Sequence, residues 1–217
     1  MWAKSLPNDQ IQSIPAPEVR QDLGTYATTS LSARNNDHHF KVDPKCPAGT
    51  TSGFEVYTAR YDVPAQQFYA KVGSFYDEVW YIGLLPNATH GPDNTIGSIR
   101  EIDFSGTILH EQLIKSTHTT ALLELEWHLV NGPIDVTGAV TDNPPEEKIL
   151  FGSYTEDLRV ESICEGRATF ITFTGRYCFD KRNPACEVFD VAHRSSIEAV
   201  AKELNATLIK GDGTCPS

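Results

Sequence analysis

The sequence predicts an α+β domain in which a curved antiparallel β-sheet wraps around a long C-terminal α-helix with an internal apolar cavity between them. Three observations carry that prediction. Several segments between residues 96 and 179 alternate apolar and polar side chains, the pattern of strands with one buried face. Residues 183–206 set Phe189, His193, Ile197, Val200 and Leu204 along one stripe of a helix. Only one short helical region precedes the strands, and helices segregated from a run of strands mark the α+β class.

In chain order, residues 1–52 carry Pro7, Pro15, Pro17, Pro44 and Pro47 among polar residues and show no sustained period, so they read as an arm before the domain. The domain spans 53–206, and 207–217 form a tail. "GFEVYTARYDV" alternates as a strand. "PAQQFYAKVGSFYDEVW" then places Phe68, Val72, Phe75, Tyr76 and Val79 at helical spacing, with Pro64 suited to a first turn. "LLPNATHGPDN" is a loop. The hairpin 96–114 turns at Ser105-Gly106, and 119–130 puts Leu123, Leu125, Trp127 and Leu129 on one face and Glu124, Glu126 and His128 on the other. A polar insertion over 131–148 precedes strands at 149–163 and 167–179, joined by a turn at Glu165-Gly166. The helix over 183–206 follows, with Pro184 at its start.

A net charge of −11 without any Lys/Arg run makes nucleic acid or an anionic membrane surface an unsuitable partner. No apolar stretch approaches the ~18–20 residues of a membrane span, and "MWAKSLPNDQ" lacks the apolar core of a signal peptide. Of five cysteines, Cys46 and Cys215 lie in the polar tails, Cys178 ends a strand, Cys186 opens the last helix and Cys164 sits beside a turn. Cysteines at element ends suit disulfides, although the odd count leaves at least one unpaired within the monomer. With the sequons at Asn87 and Asn205, they favour a secretory or extracellular location over the cytoplasm.

The strand Gly97-Ser98-Ile99-Arg100, the turn that brings Glu111 into the next strand, "SYTEDLRV" and "ATFITFTGRY" before the helix together resemble the helix-grip superfamily, which includes Bet v 1-like proteins, START domains and polyketide cyclase-like proteins. The resemblance covers about 53–206. It implies a closed cavity between the concave sheet and the final helix, a small hydrophobic ligand, and in some members cyclisation, dehydration or isomerisation without a metal or redox cofactor. It supplies no shared catalytic motif.

The site must therefore be argued from polar side chains on inward faces. His193 interrupts the apolar stripe of the last helix, either as a proton shuttle or as a histidine satisfied by a neighbouring carbonyl. Tyr154 and Glu156 share a face with Leu158 and Val160, which makes Glu156 either a carboxyl in an apolar wall or a strand-edge group in water. Arg100 shares a face with Ile102 and Phe104, so it either pairs with Glu111 across the hairpin or reaches inward to a ligand carboxylate or enolate. His110, a second candidate for that contact, must point away from the face of Glu111. Leu125, Trp127, Phe173, Tyr177 and Phe189 are core residues that in this architecture double as cavity wall. The row Glu124, Glu126, His128 reads as solvated and spreads ~13 Å, too far for one metal ion without other elements. His38-His39 reads as surface.

Two functions follow. One is a cofactor-independent cyclase or isomerase acting on a hydrophobic polyketide-like or terpenoid intermediate of secondary metabolism, with His193, Glu156, Tyr154 and Arg100 as its polar groups and conformer selection in the cavity. The other is a carrier or storage protein for a small hydrophobic molecule, which needs only the cavity and a gate.

Overall fold

The computed structural model describes residues 46–104, 106–137, 148–211 and 215. Most of the expected arm, with His38-His39, and residues 138–147 of the polar insertion lie outside them.

The described chain runs β1 (Thr51–Tyr61), α1 (Ala65–Val72), β2 (Ala88–His90), β3 (Ile99–Phe104), β4 (Thr107–His118), β5 (Leu122–Leu129), β6 (Ile134–Thr137), β7 (Lys148–Ile163), a 3-10 turn (Cys164–Gly166), β8 (Ala168–Phe179) and α2 (Arg182–Glu203). The strands form one antiparallel sheet in the order β1-β8-β7-β5-β4-β3-β2, with β6 paired to the first residues of β7. First and last strands are thus neighbours. The sheet's apolar face packs on α2, and this is the α+β helix-grip architecture.

The strand faces follow the alternation in the sequence. Leu123, Leu125, Trp127 and Leu129 are buried on β5, and Tyr154, Glu156, Leu158 and Val160 share the inner face of β7. The β3–β4 turn is closed by Gly106 at φ 86°, whose N–H donates to Asp103 Oδ1 at 2.8 Å. That left-handed backbone suits glycine.

Three expectations need correction. The first helix stops at Val72, where Gly73 N–H donates to Tyr69 O at 2.9 Å. Beyond it the side chain of Asn94 accepts from Phe75 N–H at 2.9 Å and donates to Gly73 O at 2.7 Å, while Asp93 Oδ1 accepts from Tyr76 N–H. These side chains take groups that a further turn would have used, at a glycine that already weakens a helix by ~1 kcal/mol. Phe75 is buried in the loop that results, and Val79 is exposed. Second, the insertion holds a short strand, β6, which the sequence had not revealed. Third, Glu124 is covered rather than solvated, beneath Lys115 Nζ at 2.9 Å and Arg159 Nη1 at 3.4 Å.

Disulfides join Cys46 to Cys178 and Cys164 to Cys215, and Cys186 is a free, exposed thiol. Asn87 and Asn205 are both exposed. No helix among the described residues is long and apolar enough to cross a membrane.

The core has two parts. Around α1 and the C-terminal half of α2, Tyr61, Phe68, Val72, Leu158, Ile171, Ile197 and Val200 form one cluster. Under the N-terminal half of α2, Ile102, Leu109, Ile134, Val136, Phe151 and Phe189 form a second. These six line a cavity of about 220 Å³.

Candidate functional site

Strand register builds the site. Glu55 on β1 and Glu156 on β7 both pair with Gly175 of β8, so two inward carboxyls flank a residue with no side chain. A Cβ at 175 would stand 3.0 Å from the Phe189 ring and 3.3 Å from His193 Cε1. The vacant position therefore admits the imidazole of His193, which lies flat on Phe173 with ring centroids 3.7 Å apart. His193 Nδ1 meets Glu55 Oε2 at 2.5 Å and Nε2 meets Glu156 Oε2 at 3.2 Å. A histidine donates through both nitrogens only as the imidazolium. Burial pulls its pKa down, but the hydrogen bonds to Glu156 and Glu55 and their charges outweigh it and hold His193 above its ordinary value.

The β3–β4 hairpin supplies the second cation. Arg100 pairs with Glu111, directly opposite in register, through Nε at 2.7 Å. It also bonds Glu78 and the carbonyl of Phe75, both in the loop after α1. Its guanidinium lies 4.2 Å from the Phe75 ring centroid and 4.9 Å from that of Trp127. Nε and Nη1 thus donate hydrogen bonds, Nη2 forms the ion pair with Glu78, and the rings cover the guanidinium plane.

Two phenols complete the layer. Tyr81 donates to Glu156 Oε2 at 2.6 Å, and Tyr154 donates to Glu111 Oε1 at 2.5 Å. Burial first, and then the facing carboxylates, push both hydroxyls well above the usual tyrosine range, so they stay donors. Glu78 is pushed well above the carboxylate range by burial, with Glu111 and Glu156 opposing the pull of Arg100. Glu111 is raised for the same first reason, again against Arg100. Four buried carboxyls therefore face two cations.

The cavity touches one side of this layer. Glu78, Glu111, Glu156, Tyr81 and Tyr154 line it at its polar end, whereas His193 and Arg100 are not part of its wall. Val188, Ala192 and the exposed Ser195 of α2 also line the cavity.

Of the candidate catalytic and binding residues, Glu156, Tyr154 and Phe189 reach the cavity, as does Glu111, the partner expected for Arg100. His193 and Arg100 act on it only through the carboxyls they hold. Arg100 is therefore not available to a ligand carboxylate or enolate. Leu125, Trp127, Phe173 and Tyr177 are buried behind the wall, in contact with other core side chains rather than with the open space. His110 lies on the outer face, 3.9 Å from Glu101, because Glu111 takes the inward direction. Glu55, Glu78 and Tyr81 were missed. Glu55 shares strand parity with the buried Ala59 and Tyr61, a readable signal; Glu78 and Tyr81 sit in the loop that replaced the expected helix. Among the described residues no cluster of three or more His, Cys, Asp or Glu is arranged to hold a metal ion.

No family model matches this chain, and no curated protein matches it by sequence. Among solved structures, a protein of Nitrosospira multiformis is 16% identical at a TM-score of 0.49, covering 70% of this chain and 95% of its own. Ginseng major latex-like protein 151 from Panax ginseng is 12% identical at 0.45, with coverages of 70% and 95%. Norcoclaurine synthase from Thalictrum flavum, solved with dopamine and hydroxybenzaldehyde, is 10% identical at 0.44, with coverages of 82% and 96%. Similarities this distant leave the assignment of fold to the topology described above and add nothing on activity.

Proposed function

We propose that the chain binds a small, mostly apolar molecule in the cavity beneath α2 and moves a proton on it through Glu156, as a cofactor-independent isomerase or cyclase does. The supporting observation is a carboxyl group at the polar end of an otherwise largely apolar cavity, anchored by His193 and by Tyr81. A carboxylate so placed accepts a proton from a carbon acid and returns it to another carbon of the same molecule. His193 balances the charge while the proton is on the substrate. Phe104, Phe151 and Phe189 exclude water and restrict the ligand's conformers. The cavity is smaller than the ~300–1,000 Å³ of drug-sized sites, which favours a compact skeleton, terpenoid or aromatic polyketide-like.

A generic carbon acid tests the assignment. 5-Nitrobenzisoxazole loses its C3 proton to a base as its N–O bond breaks, and the oxygen leaves as a coloured phenoxide. The wild-type protein should open it at least about a hundredfold faster than equimolar acetate. Glu156→Gln should abolish the excess, and Glu101→Gln on the outer face should not. Equal rates for Glu156→Gln and wild type would end this role for Glu156. Saturable binding without ring opening would favour the carrier instead.

A further inference from the structure

The polar end of the cavity is unbalanced in a way that specifies the ligand. Three carboxyls, Glu78, Glu111 and Glu156, stand on the wall, while Arg100 and His193, which would neutralise them, lie behind. Arg100 is committed to Glu111 through Nε, to the Phe75 carbonyl through Nη1 and to the Glu78 carboxyl as an ion pair, and it is not on the cavity wall. Glu78 is only 2% exposed, yet its Oε2 has no hydrogen-bond partner. A buried carboxyl oxygen with no donor costs its full desolvation unless something arrives to meet it. The ring faces of Tyr81, Tyr154, Phe151 and Phe189 are also on the wall, and aromatic faces attract cations.

We propose that the ligand of this cavity carries a protonated aliphatic amine, which meets the carboxyl of Glu78 at the polar end while its apolar body fills the space against Ile102, Leu109 and Val136. The inference rests on the reading of the cavity as the ligand site, not on the proton transfer by Glu156. The ammonium replaces a proton that the empty site must hold. Glu78 is faced by Arg100 from β3, Glu111 from β4 and Glu156 and Tyr154 from β7. Tyr81 of its own loop faces it too, with His193 of α2 and Glu55 of β1 one step behind. The raised pKa of Glu78 and of Glu111 agrees with a layer short of positive charge. An anionic ligand would add negative charge to a set already short of cations, and the site rejects it.

Three probes of one shape decide the matter: phenethylamine, 2-phenylethanol and 3-phenylpropanoate, each titrated calorimetrically into the full-length protein. The amine should bind at least about tenfold more tightly than the alcohol, a difference of ~1.4 kcal/mol, and the carboxylate should not bind. Amine binding should release protons, seen as a heat that changes between phosphate and Tris buffers. Its affinity should rise from pH 6 to pH 8. Glu78→Gln should remove the preference of amine over alcohol; if that variant does not fold, the buffer-dependent heat of the wild-type protein still decides. An alcohol that binds as well as the amine, or amine binding without proton release, overturns the inference and leaves the cavity reading intact. Failure of all three probes to bind overturns both.

Discussion

Beneath the C-terminal turns of α2, Ile197, Val200 and Ala201 pack into Phe68, Val72, Leu158 and Ile171, whereas beneath its N-terminal turns Val188 and Phe189 stand over Ile102, Leu109 and Val136 across open space. One helix thus covers a filled half and a hollow half. Between them lies the charged layer built on Glu55, Glu156, Arg100 and Glu111. The filled half holds the helix in place, and that anchorage allows the other half to forgo contacts. A buried layer of ions is poor evidence for stability by itself, because desolvation offsets most of the attraction. Its location at the border of a solvent-reachable space is better explained by what it can do there.

The layer should be the most sensitive part of this comparison. Arg100→Met removes a cation from between Glu78 and Glu111 while keeping much of its volume. It should cost about 3–5 kcal/mol in urea unfolding at neutral pH, with part recovered by Glu111→Gln in the same chain. A loss below about 1 kcal/mol would show that the layer is wet.

Next come the two halves themselves. Leu158→Ala, in the filled half, should cost about 2–5 kcal/mol, the usual range for a cavity cut in a packed core. Val136→Ala, beside space that already exists, should cost about 1 kcal/mol and admit bulkier ligands. Equal costs would mean that the hollow half closes around its wall side chains.

The gentlest probe is pH. His193 is held above its ordinary value of 6.5, so the stability it contributes is complete below that value and is lost as pH rises through the folded one. Glu78 and Glu111 are held above 4.5, so the folded state binds their protons more tightly than the unfolded chain does. Stability from them also declines as pH rises above that value. Both groups act in one direction: Tm should fall between pH 5 and pH 9, and a saturating amine should flatten the slope. A Tm that rises over this window would contradict the charge count.

Much of the architecture was legible because alternation and stripe report directly on faces. The strand expected at 149–163 begins one residue earlier, and the helix expected over 183–206 spans Arg182–Glu203. The pairing of Arg100 with Glu111 was one of two readings the hairpin allowed, and the register and the ion pair bear it out. The rest of the site depends on partners distant in sequence. Nothing within the stretch around Glu78 shows that Asn94 will capture the end of α1 and swing Phe75, Glu78 and Tyr81 under the sheet. Nor does the spacing of Trp127 and Phe173 distinguish a cavity wall from the layer behind it, since both face inward. Glu55 was within reach of the alternation rule, but an acidic residue among Phe54, Val56 and Tyr57 gave no sign that a histidine 138 positions later would meet it.

Gly175 ties four distant positions into one heritable unit. A Cβ there would press on Phe189 and His193, a larger side chain would have to displace them, and displacing the imidazole would disconnect Glu55 and Glu156 together. Related chains that keep the histidine should therefore keep the glycine and both acids, while chains that fill the position with a larger residue are free to lose all three partners at once. A lineage can thus cut the histidine's tie to both acids by a single codon change, while the Arg100 half of the layer keeps its own partners.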